Sequence, residues 1–166
     1  MRAPPMEQVE SPLEGGCACG HVRYRLTAAP VAVHACHCRY CQRMGGSGYG
    51  WNAMLETRHV ESIGSARPIA VHTPSTRPEG QVVMRCPDCL VALWTHHPLL
   101  GPNMAMVLVG TLDQPERLPP TVHCFTATRQ SWVRIADDVP AYEGDYDPDV
   151  VWGPHGQARV AAALAG

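Results

Sequence analysis

Apolar and polar positions along this chain alternate in short bursts that turn residues cut off. The clearest burst sets Val22, Tyr24 and Leu26 against His21, Arg23 and Arg25. A period of two places successive side chains on opposite faces of a strand, so the first three are expected on a core, and Arg23 and Arg25 in water. Further strand-length stretches, rich in β-branched and aromatic residues, fall at 31–36, 48–54, 81–85, 90–95, 104–110 and 121–126. Between them, residues 73–80 (TPSTRPEG) read as a hairpin tip, and residues 112–120 (LDQPERLPP) hold too much proline for the interior of an element. The first dozen residues read as a flexible lead-in, structure is expected from Leu13, and the chain turns acidic and irregular after Pro140. Alanines over 157–165 favour a short helix, which must dock to persist.

Sixteen prolines and fifteen glycines against one phenylalanine in 166 residues sharpen the expectation to a mainly β, loop-rich domain with short helices at most. A hydrophobic share of 45% supports one real core and excludes disorder throughout. Thirteen basic and fifteen acidic residues leave a formal charge of −2, so neither nucleic acid nor an anionic membrane is an expected partner. The amino end, MRAPPMEQVESP, lacks the apolar run of a secretion signal, and no stretch approaches the roughly 20 apolar residues of a spanning helix. A cytoplasmic setting is therefore expected, where thiols stay reduced and clustered cysteines serve as metal ligands or redox centres.

Eight cysteines then become the feature to explain. They form Cys17-x-Cys19, Cys36-x-Cys38-x-x-Cys41 and Cys86-x-x-Cys89, with Cys124 apart. Two sulfurs one or two residues apart in a tight turn can face one ion, and zinc takes about four such ligands at roughly 2.3 Å. Cys86-Pro87-Asp88-Cys89 has the turn chemistry of a zinc knuckle, with proline fixing φ after the first sulfur. Cys17 and Cys19, flanked by glycines that let backbone amides reach sulfur, make a partner pair. That pairing leaves Cys36, Cys38 and Cys41, and a zinc with three protein ligands keeps a position open. Four thiolates make a clamp and a poor Lewis acid; three leave room for another ligand, so chemistry is expected at the second site. The competing readings are buried free thiols in the first group, and in the second a closed structural site or a Cys38–Cys41 redox pair.

The runs Gly15-Gly16-Cys17-Ala18-Cys19-Gly20, Cys36-His37-Cys38-Arg39-Tyr40-Cys41-Gln42-Arg43 (with Gly45 and Ser47 behind it) and Cys86-Pro87-Asp88-Cys89 give the chain a family likeness. In them it resembles the glutathione-dependent formaldehyde-activating (Gfa) family, which includes the centromere-protein-V-like proteins. The likeness continues weakly through His123, Trp132, Pro140 and Tyr142. It implies an Mss4-like, zinc-stabilised β fold over residues 13–144, with the lead-in 1–12 before it and an irregular tail 145–166 after it, ending in a short helix if that docks. It implies two Zn²⁺ per chain, a structural ion on Cys17, Cys19, Cys86 and Cys89 and a second, open one on Cys36, Cys38 and Cys41. The implied activity is that of a carbon–sulfur lyase-type enzyme, forming or breaking an adduct between a small thiol such as glutathione and a small aldehyde such as formaldehyde. A non-catalytic zinc module that binds a protein partner is the alternative. The proton donor and the oligomeric state stay open. The chain departs from the family pattern at Leu90 and Val91, where relatives carry a small residue or glycine, and at Cys124.

The remaining candidates read more plainly. His37 lies between two proposed ligands, and in an extended segment its side chain points away from their shared ion. His34, His96, His97 and His123 read as surface or satisfied core residues, Trp51, Trp94 and Trp132 as core packing, and Cys124 as a small apolar core residue. The acids over 143–149 read as a solvated stretch. Arg39, Arg43 and Arg129 are the cations on offer to the carboxylates of glutathione.

Overall fold

Short strands broken by proline and glycine bury apolar surface only by pairing with their neighbours, and this chain pairs nearly all of them as antiparallel neighbours. The computed structural model describes residues 12–166, so the expected lead-in lies, but for Pro12, outside the described residues. The strands are β1 (Leu13–Gly16), β2 (Arg23–Leu26), β3 (Ala32–Cys36), β4 (Gly50–Glu56), β5 (Val60–Ser62), β6 (Ile69–Thr73), β7 (Gln81–Arg85), β8 (Ala92–His96), β9 (Met104–Leu108) and β10 (Val122–Cys124). The helices are α1 (Arg39–Gly45), α2 (Pro148–Val151) and α3 (Gly153–Ala165). The protein is mainly β, consistent with the Mss4-like type expected. One sheet has the order β1-β2-β5 and the other β10-β3-β4-β9-β8-β7-β6. Every pairing is antiparallel except β10 with β3, which is parallel.

Val22, Tyr24 and Leu26 are fully buried, as the alternation requires. They pack in one cluster with Val33, Leu55, Leu93 and Val107 of the larger sheet. The Tyr24 ring meets Trp94 edge-on at 5.8 Å, and its hydroxyl hydrogen-bonds Thr111 Oγ1 at 2.7 Å, which satisfies the polar end inside an apolar layer. Gly15 makes that approach possible: a Cβ there would lie 2.6 Å from the Thr111 carbonyl oxygen and 2.9 Å from the tyrosine ring. The expectation for Arg23 and Arg25 needs correction. They are half-buried and paired, Arg23 to Asp113 at 2.8 and 2.5 Å and Arg25 to Glu14 at 2.6 Å, because β1 and the 112–120 connection lie alongside β2.

The other face of β4 turns Met54 toward Val31, Met104, Val160 and Ala163, and so receives α3. The helix extends four residues before the alanine-rich stretch and is docked. Gly156 allows the close approach, since a Cβ there would stand 2.9 Å from Val31 Cγ1. Residues 73–80 do form a hairpin tip, joining β6 to β7 with Thr73 opposite Gln81.

Candidate metal centres

The loop after β1 and the turn between β7 and β8 bring Cys17 and Cys19 to Cys86 and Cys89. All four Sγ atoms lie within 4.8 Å of one another. Cys19 Sγ stands 3.4 Å from Cys17 Sγ and 3.7 Å from Cys86 Sγ. Sulfurs roughly 2.3 Å from a tetrahedral ion are about 3.8 Å apart, so the set fits a divalent metal such as zinc. Two similar turns build it. Cys17 N donates to Val22 O at 3.0 Å and Cys86 N to Val91 O at 3.0 Å, and each turn has a residue in the left-handed region, Gly20 at φ 77° and Leu90 at φ 60°. The knuckle places Leu90 at a positive φ, which glycine adopts freely and leucine adopts with strain. Backbone amides face the sulfurs. Val22 N donates to Cys17 Sγ at 3.2 Å, and the amides of Val91 and then Cys19 hold the Cys89 thiol down at about 6.

The second group forms where three neighbouring strands end. Cys36 closes β3, Cys38 caps α1 and accepts from Cys41 N at 3.4 Å, and Cys41 sits in the helix's first turn. Their three Sγ atoms lie within 4.8 Å of one another. Gly50, opposite Cys36 on β4, leaves them room, because a Cβ there would stand 3.0 Å from Cys41 Cβ and 3.4 Å from its sulfur. Hydrogen bonds from Cys124, then Cys38, then Cys41 hold the Cys36 thiol far below its ordinary range. Cys36 in turn pushes the thiols of Cys38, Cys41 and Cys124 up. Three thiolates this close repel one another, and a positive ion among them would offset that repulsion. The donor chemistry fits a thiophilic dication.

Cys124 is buried as expected, yet it stands in register with Cys36 on the parallel strand β10 and bonds its sulfur. It does not join the shared group of three. Among the described residues no histidine nitrogen or carboxylate joins either group. His37 Nε2 instead hydrogen-bonds His123 Nδ1 at 2.9 Å with the rings stacked, and Tyr49 packs beside both. Burial first, then the His37 and Arg129 charges, press His123 down to about 4, so this pair stays neutral near pH 7. His34 Nε2 meets the Tyr146 hydroxyl at 2.5 Å. Trp132 is the tryptophan that core packing does not describe, since it is 67% exposed. Helix α1 went unforeseen; the run of Arg39 to Met44, free of glycine and proline behind a capping Cys38, is its signal in sequence.

Residues 12–128 match the family model for the glutathione-dependent formaldehyde-activating enzyme. A curated Halomonas elongata protein, provisionally named a glutathione-dependent formaldehyde-activating enzyme, is 29% identical in an alignment of 133 residues that covers 74% of this chain and 80% of that one. A Rhodobacter sphaeroides protein of known crystal structure aligns over 61% of this chain and 88% of its own, with 19% identity and a TM-score of 0.47. With the model spanning well over half its length, and with both cysteine groups assembled, this chain belongs to the glutathione-dependent formaldehyde-activating enzyme family.

Proposed function

We propose that this protein is a zinc enzyme that forms or breaks the carbon–sulfur bond between glutathione, or a similar small thiol, and formaldehyde or another small aldehyde. Cys17, Cys19, Cys86 and Cys89 would hold a structural zinc, and Cys36, Cys38 and Cys41 a second one with a free position. The observation that carries the reading is the second group: the sulfurs of Cys36, Cys38 and Cys41 converge where β3 meets α1, while the Cys124 sulfur bonds Cys36 and stands outside their shared group. A divalent ion held there supplies a Lewis-acidic position that favours the thiolate form of a substrate thiol.

The chain's own residues do the rest. Cys36, Cys38 and Cys41 act as ligands and not as nucleophiles. The Cys41 amide, which donates to Cys38 Sγ, tempers the charge of the set and fixes its orientation. Gln42 braces the helix by donating from Nε2 to His37 O at 2.6 Å and to Thr128 O at 2.9 Å. In the forward direction the thiol gives up its S–H proton, its sulfur bonds to the aldehyde carbon as the C=O π bond opens, and the oxygen so freed takes up a proton, with no change of oxidation state. The reverse step returns both. Tyr49, whose ring packs beside His37 and His123, His37 and water are the donors on offer for that proton. The reduced thiols that this chemistry needs suit a cytoplasmic setting, and no described helix is long and apolar enough to cross a membrane.

The test is Cys38→Ser in metal-replete protein. It is expected to lose one zinc per chain and all thiol-adduct turnover, followed by NMR of the hydroxymethyl product, while the first zinc stays bound. Unchanged turnover with one zinc lost would count decisively against the scheme, and absence of turnover in the metal-replete parent would favour the non-catalytic module.

A further inference from the structure

Strand β3 ends on Cys36, and its two neighbours meet that residue differently. On the β4 side the partner is Gly50, whose missing side chain admits the Cys41 sulfur; on the β10 side the partner is Cys124. Residues opposite each other in a sheet point to the same face, so Cys36 belongs to two sulfur contacts at once, the metal group on one flank and Cys124 on the other. Neighbouring strands lie about 4.8 Å apart, inside the roughly 4.4–6.8 Å between Cα atoms that a disulfide spans. The backbone around Cys124 is fixed as well. Its carbonyl accepts from His37 N at 2.9 Å, and Phe125, at φ 56°, donates from its amide to Gly144 O at 2.7 Å. A bond between the two sulfurs thus needs side-chain rotation and little movement of the chain. Burial sorts their roles: Cys36 is partly exposed and Cys124 is 4% exposed, so a small dissolved oxidant meets Cys36 first and finds Cys124 already in contact. The first cysteine group has no such spare, because the eight cysteines divide into its four, the three of the second group, and Cys124 beside Cys36.

We propose that Cys36 and Cys124 form a reversible disulfide when hydrogen peroxide reaches the second cysteine group, a modification that withdraws Cys36 from metal binding. The disulfide stands on the strand pairing alone; its effect on the metal rests on the function given above. In the first step the Cys36 thiolate attacks one peroxide oxygen, the S–O bond forms, the O–O bond breaks, and the departing hydroxide takes up the thiol's proton as water. In the second the Cys124 sulfur attacks the Cys36 sulfenic acid, the S–S bond forms, the S–O bond breaks, and hydroxide leaves with the Cys124 proton as a second water. Two cysteines are oxidised and one peroxide is reduced. A disulfide sulfur has no charge to offer a dication, so the group keeps two thiolates where it had three. Cys36 held in this bond is also kept from the irreversible sulfinic acid, and a dithiol returns it by exchange.

The test adds hydrogen peroxide to metal-replete protein, follows zinc release with a chromogenic chelator, and maps disulfides by unreduced tryptic digestion and mass spectrometry. Trypsin puts Cys36 and Cys124 in separate peptides, 26–39 and 118–129, and fragmentation tells Cys36 from Cys38. The parent is expected to show the Cys36–Cys124 link, to release one zinc per chain, and to regain it when dithiothreitol and zinc are supplied. Cys124→Ala, whose zinc content and circular dichroism at rest check its fold, is expected to release the second zinc and not regain it, with two oxygens added to Cys36 by mass. The map on the parent decides the pair without any variant. Links confined to Cys38–Cys41 or Cys36–Cys38, or full recovery of zinc in Cys124→Ala, would each overturn the proposal. Zinc content before oxidation reads the function separately. A Cys36–Cys124 link in protein that holds one zinc refutes the second metal and leaves the pair standing, and two zincs at rest without that link do the opposite.

Discussion

Glu56, at the end of β4, is 1% exposed. Its carboxylate accepts from Arg159 Nε at 3.0 Å and Nη2 at 2.5 Å, and Arg159 Nη1 donates to Ala29 O at 2.9 Å. One guanidinium therefore ties α3 to β4 and to the chain entering β3. Arg58 adds a contact at 3.3 Å, but its side chain is 61% exposed and water screens it. Burial pushes the Glu56 carboxyl up, and the Arg159 hydrogen bond and charge override that, leaving it below its ordinary 4.5. A depressed carboxyl gives stability that is present above the unfolded value and lost as pH falls through the folded one. Arg159→Met keeps the apolar stem and removes the charge. Burial then acts on Glu56 with little opposition and raises its carboxyl, so the folded state binds the proton more readily than the unfolded one. The variant should gain stability as pH falls, the reverse of the parent. At pH 7 the loss should be about 3–5 kcal/mol, a large share of the 5–15 kcal/mol of an ordinary domain. Glu56→Gln in the same background should recover most of it. Urea unfolding followed by circular dichroism from pH 4 to 8 measures both. A loss under about 1 kcal/mol, or slopes of the same sign in parent and variant, would refute the reasoning.

Gly50→Ala places a Cβ against Cys41 and should weaken the second metal by about tenfold or more while sparing the first; competition with a chromogenic chelator resolves the two, and equal retention of both would contradict the packing described. At Leu90 the left-handed backbone costs roughly 1–2 kcal/mol, so Leu90→Gly should match or exceed the parent in thermal melts after glycine's own entropic cost, and Leu90→Val should fall below it. The opposite order would deny the knuckle geometry. Stripping both metals with a strong chelator under reducing conditions should loosen the join between β1 and the β7–β8 turn first, seen as early amide exchange at Cys17–Val22 and Cys86–Val91. Uniform exchange across the sheet would argue that the first group clamps nothing.

Strand β2 was legible because one of its faces is wholly buried, and burial writes the alternation. Strand β6 was not: it is an edge strand with Ile69 and Ala70 exposed, so no core selects its pattern. Helix α1, at seven residues, is too short for an apolar stripe and is held instead by the Cys38 cap and by Gln42. Spacing marked each local cysteine pair, but which pairs share a group, as Cys19 does with Cys86 across 67 residues, followed from the family resemblance. The contacts of Cys124 with Cys36 and of His123 with His37 depend on β10 returning parallel beside β3, a pairing across 86 residues for the histidines that no local signal encodes. Trp132 misled because an indole usually pays for itself by burial, and here it lies over Gly48 at the surface.

X-ray absorption at the zinc edge of metal-replete protein, with and without glutathione, tests the central claim most directly. The account predicts two zincs per chain and a sulfur shell at roughly 2.3 Å averaging about 3.5 per ion, four at one and three at the other, completed by a lighter atom and rising toward four when thiol is added. One zinc per chain, or four sulfurs per ion unmoved by thiol, would contradict it.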